Sequence, residues 1–523
     1  MEFPKVIYHS LESIVGVEYI SNDPSICKAY SRGGFGMGLF DRGSISPACV
    51  VLPKNTEQIQ AIVRLANRYK FPFIPVSTFF IGFCSPLRPN TVIIDPKRMD
   101  KCLIDVENMY ATVESYVTYS QLQCEAMKHG LFVPSTLAGA QISVLANHIA
   151  FGIPVTAHRT GIANRRLMAI EWVLPDGEIV KTGSAISSSD EYFWGEGPGP
   201  DLRGLGRGYF STGGMGFVTK VSVKLFPLPK SYTPEPFGVS PNTTFSLPSD
   251  RFRWYILNYP TPEAAVDAMV EIGRAEIGTV CMRVQSLWRD LRRATSKEEY
   301  WQLYEKSKIY LEEKRPNIIR VLLVGFASEK QADYEERVLQ DIAIETGATM
   351  VKRGPDTGAA DCFQPSYTNC AYRPGGLFIS EKLGFDSMDH ALKFLKDGIK
   401  IKRKFMPPFV DDKEEAGWIL SYDFGHHAHG EMTSYFENTK ENIELVLEHE
   451  RQQLKRDLEI KAYTGMQYGA VHDILGPEMC NYHNLLMEIK KAFDKDDLSN
   501  PTRFIQMTKN KEDGDLYYTR MHR

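Results

Sequence analysis

The chain has 523 residues, of which 43% are hydrophobic and 24% are charged. This length suits about two to four domains, and the composition excludes a disordered or fibrous chain. The 61 basic side chains nearly balance 65 acidic ones, so the excess of positive charge that typifies nucleic-acid binding is absent. No apolar run approaches the roughly 20 residues that span a bilayer, and Met1 to Ile20 show no secretory signal. We therefore expect a cytoplasmic protein without a membrane span.

The nine cysteines are scattered singly along the chain. No C-x-x-C pair or cysteine cluster is present, which argues against a zinc site, a redox dithiol and an iron–sulfur cluster. A low, odd count is typical of reduced and mostly buried thiols. The sequence therefore predicts neither a disulfide framework nor a metal site.

The region from about Ser46 to Pro229 begins with a strand–helix–strand pattern and continues with hairpins. Apolar side chains at helical spacing between 59 and 66 predict a helix after the first strand. Thr118 and Gln121 form a capping box, which predicts a second helix that ends near Gly130. Strands are predicted at 48–52, 73–76, 92–94, 111–114, 171–174, 178–180 and 218–225. This order indicates an α+β fold rather than a doubly wound dinucleotide fold.

From about Phe252 to Glu450, predicted strands and helices alternate. Thr261 and Pro262 predict the start of a helix, because proline is favoured at the first helical position. Further helices are predicted from 328 and from 440, and strands at 254–257, 319–326, 377–379, 418–422 and 432–436. The alternation predicts an antiparallel sheet that is covered on one side.

The last part of the chain, from about Leu458, contains one clear predicted helix, over 482–493. The basic run Lys402-Arg403-Lys404 precedes this part and is interpreted as a solvated helix end rather than a binding patch.

Five stretches, taken in order, carry a resemblance to a known family. They are P-A-C-V-V-L-P-K-N-T-E-Q-I at 47–59, S-V-L-A-N-H-I-A-F-G at 143–152, V-L-P-D-G-E-I-V at 173–180, G-G-M-G-F-V-T at 213–219, and the ending from I-K-K-A-F-D to N-P at 489–501. Together they resemble the vanillyl-alcohol oxidase / p-cresol methylhydroxylase-type FAD flavoprotein family, which includes glycolate-oxidase-type and D-lactate dehydrogenases.

This resemblance implies an α+β fold with a two-part FAD-binding domain of the p-cresol methylhydroxylase type and an inserted antiparallel-sheet cap domain. The N-terminal part of the FAD-binding domain is expected over residues 1–235. The cap, or substrate, domain is expected over 236–455, and a C-terminal segment over 456–523 returns to the FAD domain.

The resemblance also implies that FAD is the cofactor, and chemistry fits this, because backbone N–H groups in small-residue turns can closely approach a pyrophosphate. The candidate cofactor-binding residues are Pro75, Ser77, Thr78, Gly82, Ser143, Asn147, Gly152, Gly161, Gly213, Gly214, Gly216 and Val218.

The pyrophosphate loop after Pro75 departs from the family pattern, since it keeps one glycine, Gly82, among several aromatic residues. Ser77 and Thr78 hydroxyls can replace some of the lost donors, but the rings of Phe79 and Phe80 must then point away from the phosphates. The alternative reading is a flavin-free pseudo-subunit that acts as a scaffold in a complex with an active flavoprotein homologue.

Three histidines, His426, His427 and His429, lie within four residues. In an extended segment, His427 and His429 share one face and His426 lies on the other. Such a group can supply a base, a flavin attachment point or a metal-ligand pair, and the alternative is a polar strand edge. A metal is not predicted, because the metal-binding motif of the glycolate-oxidase branch is poorly matched.

Two more sites complete the candidate catalytic set, which is Tyr372, Arg373, His427, His429 and His472. The Arg373 guanidinium can clamp a substrate carboxylate, and Tyr372 can hold a phenolate or hydroxyl, although a Pro-Gly-Gly surface turn with a solvated arginine is the alternative. The resemblance implies that His472, with Tyr463 and Tyr468, lies where the chain returns to the flavin.

The resulting hypothesis is an FAD-dependent oxidoreductase that transfers hydride from a hydroxylated small molecule to flavin N5, with a histidine or tyrosine as base. The resemblance implies an aromatic alcohol, a para-alkylphenol or a 2-hydroxy acid, with a slight preference for the aromatic substrates. The expected partners are the small-molecule substrate and an electron-transfer or homologous flavoprotein subunit, in a homo- or hetero-oligomer that binds no nucleic acid.

Overall fold

The computed structural model describes residues 3–31, 45–79, 85–134, 136, 139–150, 152–186, 192, 194–195, 214–229, 236–237, 244–245, 247–248, 250–314, 316–353, 362–363, 368–385, 387–413, 417–461 and 480–501.

A mostly parallel sheet opens the chain. Its helices are α1 (Lys5–Val15), α2 (Pro24–Ala29) and α3 (Thr56–Tyr69), and its strands are β1 (Ile20–Ser21), β2 (Cys49–Val51), β3 (Phe73–Pro75) and β4 (Val92–Ile94). The strand order is β1-β2-β4-β3, with β2, β4 and β3 parallel. The Asn55 side chain caps α3 by accepting from the Gln58 amide, and the predicted apolar face of α3 is buried against the sheet.

A second, antiparallel sheet follows, with strand order β5-β6-β10-β8-β9. Its strands are β5 (Cys102–Asp105), β6 (Tyr110–Glu114), β8 (Leu167–Val173), β9 (Ile179–Lys181) and β10 (Phe217–Lys224). A separate antiparallel pair is formed by β7 (Leu131–Phe132) and β11 (Phe226–Pro227). The helices are α4 (Tyr119–Lys128), α5 (Val144–Ile149) and α6 (Ala157–Thr160). The Thr118 hydroxyl accepts from the Gln121 amide and so caps α4 as predicted, whereas β5 was not predicted.

After a short pair of strands, β12 (Pro236–Phe237) and β13 (Thr244–Phe245), a seven-stranded antiparallel sheet forms the cap. Its strands are β14 (Phe252–Tyr259), β15 (Val280–Arg283), β16 (Asn317–Val324), β17 (Thr349–Arg353), β18 (Gly376–Phe385), β19 (Trp418–Tyr422) and β20 (His427–Glu437), in the order β17-β14-β16-β15-β19-β20-β18. Its helices are α7 (Pro262–Arg274), α8 (Ser286–Arg293), α9 (Lys297–Lys314), α10 (Glu329–Glu345), α11 (Met388–Lys402) and α12 (Lys440–Ile460).

Both faces of the cap sheet are covered, so the prediction of a sheet covered on one side was wrong. Helices α7, α10 and α11 bury one face, which includes Ile419 and Met432. The opposite face, which includes Trp254, Met282 and Leu420, packs against apolar residues of the FAD domain such as Phe132 and Ala157. Because residues alternate between faces along a strand, a strand that is apolar on both faces can pack against the helices on one side and against the FAD domain on the other.

The short helix α6 joins the FAD domain to the cap. His158 Nδ1 lies 2.7 Å from the Ser421 hydroxyl, and its Nε2 lies 2.9 Å from the Ile277 carbonyl oxygen. The next residue, Arg159, pairs with Glu335 of α10 at 3.1 Å. This segment therefore fixes the cap sheet against the flavin-binding part of the chain.

The C-terminal helix α13 (Tyr482–Phe493) returns to the FAD domain, where Leu486 packs into the core of the second sheet. The Phe73 amide of β3 donates to the Leu498 carbonyl, and the Asn500 amide donates to the Phe73 carbonyl, both at 2.8 Å. The fully buried Lys490 ammonium donates to the Gly214 and Ser499 carbonyls and to Asp494. These contacts attach the last described segment to β3, although the three predicted domain boundaries remain predictions.

Candidate flavin and substrate site

The predicted pyrophosphate loop begins where β3 ends, at Pro75. The Thr78 hydroxyl accepts from the Ser143 amide at 3.3 Å, which ties the loop to the start of α5. Phe79 has φ of +53°, a left-handed conformation that glycine usually provides. Its ring lies 5.3 Å from that of Tyr30 and packs against the apolar cluster beneath the parallel sheet. The domain's own core therefore accommodates the aromatic side chain in this loop.

The segment from Ser143 to Gly152 is held by hydrogen bonds of its own side chains. Ser143 Oγ accepts from the Ala146 amide and donates to the Ser115 carbonyl, so it caps α5. Asn147 Oδ1 accepts from the Tyr119 hydroxyl at 2.9 Å. A Cβ atom on Gly152 would lie 2.0 Å from Asn147 Oδ1, which explains why the motif needs glycine at this position.

Gly161 lies at the contact between the FAD domain and the cap. Its φ is +68°, and a Cβ atom there would lie 2.5 Å from Asp423 Oδ1 in the turn between β19 and β20. Glycine is required here both by the backbone conformation and by the close approach of the cap turn. This residue therefore marks where the predicted flavin site meets the cap.

Three further predicted cofactor residues bind other parts of the chain. The Gly214 carbonyl accepts from Lys490 and the Gly216 amide donates to Ser499 Oγ at 2.8 Å, while Val218 pairs with Trp172 between β10 and β8. Contacts of these residues with FAD remain predictions. Gly82, Gly213 and His472 lie outside the described residues, as do Phe80, Tyr463 and Tyr468.

A buried polar cluster behind Asn147 and Gly161 was not predicted from the sequence. It contains Arg166 and His148. Among the described residues, Nε and Nη2 of Arg166 and Nε2 of His148 have no hydrogen-bond partner. Burial lowers the pKa of the His148 imidazole to about 3 and that of the Arg166 guanidinium to about 10. Unpartnered buried polar atoms are rare, so this cluster fits a polar ligand such as FAD.

The histidine segment forms the start of β20, and the register places His427 opposite Tyr422, His429 opposite Leu420 and Glu431 opposite Trp418. Directly opposed residues share a face, so His427 and His429 do lie on one face, the one directed toward the FAD domain. His426 instead lies in the preceding turn, with φ of −63°, so the prediction that it occupies the opposite strand face was wrong.

His429 forms a pair with Glu431 on this face. Its Nε2 lies 3.1 Å from Glu431 Oε2, and the Ser380 hydroxyl of β18 donates to the other carboxylate oxygen. The ring of Tyr422 stacks beside His429 at 6.2 Å, and burial raises the pKa of the Tyr422 phenol. Sequence reasoning missed Glu431, although its spacing of two from His429 on a strand predicts the same face.

His427 contacts the FAD domain. Arg165 Nη2 donates to His427 Nε2 at 2.6 Å, and the same guanidinium pairs with Asp423 in the cap turn. An imidazole nitrogen that accepts from arginine carries no proton, so His427 is neutral in this arrangement. Its contact is therefore with the domain interface rather than with Glu431.

Tyr372 and Arg373 lie after the short helical turn Thr368–Tyr372. The Arg373 guanidinium donates to the Leu291 carbonyl at the end of α8, and the Tyr372 ring contacts Phe378 edge-on at 5.6 Å. Arg373 is therefore tied to the cap through Nη1 and is partly exposed, and its role as a carboxylate clamp remains a prediction.

Lys402 was predicted to be solvated, and this was wrong. Its side chain is fully buried, and the ammonium donates to Asp412 at 2.6 Å and to the Thr433 carbonyl.

Among the described residues, no helix is long and apolar enough to cross a membrane. In the same part of the chain, no group of three or more histidine, cysteine or acidic side chains is placed to hold a metal.

Comparison with known proteins agrees with this architecture. Residues 47–183 match the model of an FAD binding domain. The chain is 30% identical over 203 residues to the 4-cresol dehydrogenase [hydroxylating] flavoprotein subunit of Pseudomonas putida, covering 36% of this chain and 37% of that protein. It is also 30% identical over 193 residues to a D-lactate dehydrogenase of Anaerostipes hadrus, covering 36% and 38%. The matched part thus spans under two fifths of these curated relatives.

The fold match extends over nearly the whole chain. A crystal structure of p-cresol methylhydroxylase with substrate bound superposes with a TM-score of 0.74 at 16% identity, covering 95% of this chain and 96% of that chain. The predicted FAD cofactor and the α+β fold with an antiparallel cap sheet are confirmed. The chain carries an FAD binding domain and resembles, in sequence over that domain and in fold over its length, the p-cresol methylhydroxylase-type FAD flavoproteins.

Proposed function

We propose that this chain is an FAD-dependent oxidoreductase that takes hydride from a hydroxylated small molecule, with His429 as the base. The single observation that carries the proposal is the pairing of buried His429 with partly buried Glu431 on the cap face directed toward the FAD domain. Bound FAD supplies the hydride acceptor at flavin N5. The curated relatives, which are named as dehydrogenases, support this class of reaction.

Glu431 orients His429 for this role. With its Nε2–H directed to the carboxylate, the imidazole offers Nδ1 as the nitrogen that takes a substrate hydroxyl or phenol proton. The Ser380 hydroxyl holds the second oxygen of Glu431, which limits rotation of the carboxylate. The carboxylate also stabilises the imidazolium that forms.

Contacts on the same cap face favour an aromatic alcohol or para-alkylphenol over a 2-hydroxy acid. Trp418 and Tyr422 flank the pair with aromatic surface. Two nearby arginine forks, those of Arg165 and Arg373, are engaged within the chain by Asp423 and by the Leu291 carbonyl. The register places a third arginine, Arg320, on the same face of the cap sheet as His429. The aromatic surface beside the pair supports a substrate with an aromatic ring.

The first test is the visible absorption spectrum of the purified protein, recorded before and after acid precipitation. Flavin absorption bands that correspond to about one flavin per chain are expected. Bleaching of these bands when an aromatic alcohol or para-alkylphenol is added without oxygen would identify a substrate. A colourless protein that also fails to take up added FAD would contradict the proposal. It would favour instead the flavin-free scaffold that the aromatic loop after Pro75 suggests.

Substitution of the proposed base, His429, is the second test. The His429→Gln variant should retain the flavin spectrum and lose about 10²- to 10⁴-fold in the rate of flavin reduction by substrate, as expected when a general base is removed. His9→Gln, at a side chain that is 69% exposed, is the matched control and should reduce normally. An unchanged rate in His429→Gln would exclude His429 as the base.

We also propose a partner subunit, as an electron-transfer protein or a homologous flavoprotein. The supporting observation is that the Pseudomonas putida relative is named as a flavoprotein subunit. Co-purification from the native host, followed by reoxidation of the reduced flavin by the captured protein, tests this. Rapid reoxidation by oxygen alone, without any captured protein, would argue against it.

A further inference from the structure

The turn between β19 and β20 holds three consecutive residues in a left-handed backbone conformation. The φ angles are +45° at Asp423, +55° at Phe424 and +90° at Gly425. Glycine adopts this conformation freely, whereas it is rare and costly for a bulky residue such as phenylalanine. Such strain persists only where the surrounding structure enforces it, and it is concentrated at functional sites. The turn is therefore a candidate functional element.

The FAD domain holds this turn by side chains of one short segment, residues 158–165. The Arg165 guanidinium pairs with the Asp423 carboxylate. The His158 ring packs edge-on against the Phe424 ring at 5.1 Å, and the Arg159 guanidinium lies 5.4 Å from the centre of the same ring. Both non-glycine residues of the turn are thus held by a domain other than their own.

Two glycines provide the space that the turn occupies. A Cβ atom on Gly161 of the FAD domain would lie 2.5 Å from Asp423 Oδ1, and one on Gly273 of α7 would lie 2.1 Å from the Phe424 carbonyl oxygen. Both distances are far below an ordinary van der Waals contact, so the turn fits tightly between the FAD domain and the cap helix. Because it is held from both sides, its position depends on how the two domains dock.

The turn leads directly into the strand that carries the proposed base. Strand β20 begins at His427, just after the turn, and Arg165 binds this residue as well, with Nη2 donating to His427 Nε2 at 2.6 Å. His429 follows on the same face, about 7 Å further along the strand at the usual rise per residue. A shift of the turn would therefore move His429, and a displacement of about 1 Å can lower a reaction rate by about 10²-fold.

We infer that the FAD domain positions the proposed base through this turn, with Arg165 and Asp423 as the positioning residues. The strained backbone keeps the start of β20, and hence His429, at a fixed place relative to the flavin-binding part of the chain. In this role neither residue takes part in proton or hydride transfer, so both act through His429. The inference rests on the proposed function, in which His429 is the base, and adds the residues that place it.

Asp423→Gly separates positioning from folding. Glycine suits the left-handed backbone, so relief of strain offsets the loss of a partly exposed ion pair, and the urea midpoint should be no lower than that of the wild type. The FAD content and the dissociation constant for substrate should change by less than about twofold, because neither binding site is altered. The limiting rate of flavin reduction should nevertheless fall by about tenfold or more. Stopped-flow absorption measures both constants, with the aromatic alcohol or para-alkylphenol that bleaches the wild-type flavin.

Lys70→Gly is the matched control. Lys70 is also left-handed, with φ of +56°, and its ammonium forms an exposed ion pair with Asp496 at 2.6 Å. It lies at the C-terminal end of α3, however, and both partners belong to the FAD-binding part of the chain. This variant should likewise keep its urea midpoint, and its flavin should be reduced at the wild-type rate.

Variants of Arg165 keep the test decisive if Asp423→Gly does not fold. Arg165→Met should slow flavin reduction by a similar factor, and Arg165→Lys, which keeps the charge beside Asp423, should recover part of the rate. Because Arg165 acts through His429, Arg165→Met should cause no further loss in the His429→Gln background. A residue with only a structural role would lower the rate in both backgrounds.

A normal limiting rate in both Asp423→Gly and Arg165→Met would overturn the inference, as would a loss that adds to that of His429→Gln. A lower urea midpoint in Asp423→Gly but not in Lys70→Gly would also overturn it, because the turn would then be only a structural clamp. Weaker substrate binding at an unchanged limiting rate would contradict it too, since the two residues would then bind substrate.

Failure of the proposed function gives a different result. An unchanged rate in His429→Gln, or a wild type whose flavin no such substrate reduces, would refute the proposed function together with this inference. Flavin reduction that depends on His429 but not on Arg165 or Asp423 would refute only the inference.

Discussion

Asp457 on α12 is a buried carboxyl group whose side chain accepts from the Gln453 amide at 2.8 Å. Burial raises its pKa to about 8, and the nearby Glu450 acts in the same direction. A carboxyl group with a raised folded-state pKa contributes stability that is complete below about pH 4 and is lost as the pH rises through about 8. The folded protein should therefore lose stability across this window.

Asp457→Asn removes this titration while keeping the shape of the side chain. At pH 8 the variant should be more stable than the wild type by about 1–3 kcal/mol, and the difference should shrink toward pH 5. Urea denaturation at the two pH values measures this. Asp267→Asn, at an exposed aspartate of α7, is the control and should show no such pH-dependent difference. Equal stability of Asp457→Asn and the wild type at pH 8 would contradict the assignment.

Lys402 and Arg373 show where sequence reasoning fails for single residues. Local sequence identifies a basic run at a helix end, and such runs are usually solvated. The Lys402 partner, Asp412, lies ten residues away beyond two consecutive prolines, and the Arg373 partner is a backbone carbonyl of α8. These partners are set by tertiary packing, which no local pattern encodes.

At the scale of elements, β20 separates what periodicity can predict from what it cannot. Alternation along the strand predicted the shared face of His427 and His429, since it depends only on the period of two. The start of the strand at His427 was not predicted, because the preceding turn takes a left-handed conformation at Asp423 and Phe424. The Ser380–Glu431 bond was also missed, because it requires the pairing of β18 with β20.

Helix α13 depends on its one buried lysine. Lys490→Met removes the ammonium that joins Gly214, Ser499 and the Asp494 and Asp497 carboxylates. We expect a loss of about 3–5 kcal/mol, since removal of one partner leaves buried carboxylates unpaired. Urea denaturation measures the loss. The exposed neighbour Lys491→Met should be nearly neutral, and equal effects of the two substitutions would refute the role of Lys490.

At the scale of the whole molecule, His158 couples the two domains. Burial lowers its pKa to about 4, so its stabilising contribution is present above about pH 6.5 and is lost as the pH falls through 4. His158→Leu should cost about 1–3 kcal/mol at pH 7 for its two hydrogen bonds, and less at pH 4.5. Calorimetry at both pH values tests this, with the exposed His129→Leu as control. A cost that does not change with pH would argue against the neutral imidazole as the coupling group.

The order of strands and helices in the whole chain could largely be predicted, because hydrophobic periodicity, caps and turns are local signals. The contact of α6 with the cap could not, although His158 and Arg159 are plainly visible in the sequence. Their partners, such as Ser421 and Glu335, lie more than 170 residues away. The buried Arg166 was likewise hidden, since its neighbour Arg165 forms an interdomain ion pair and nothing local distinguishes the two arginines.

The docking of residues 498–500 onto β3 has a consequence for biosynthesis. During synthesis, strand β3 with Phe73 is made more than 400 residues before residues 498–500, which pair with its free edge. The emerging parallel sheet must therefore wait with one edge unpaired while the whole cap is translated. An open strand edge invites association with other chains, so we expect the nascent sheet to need chaperone protection until residues 498–500 have been synthesised.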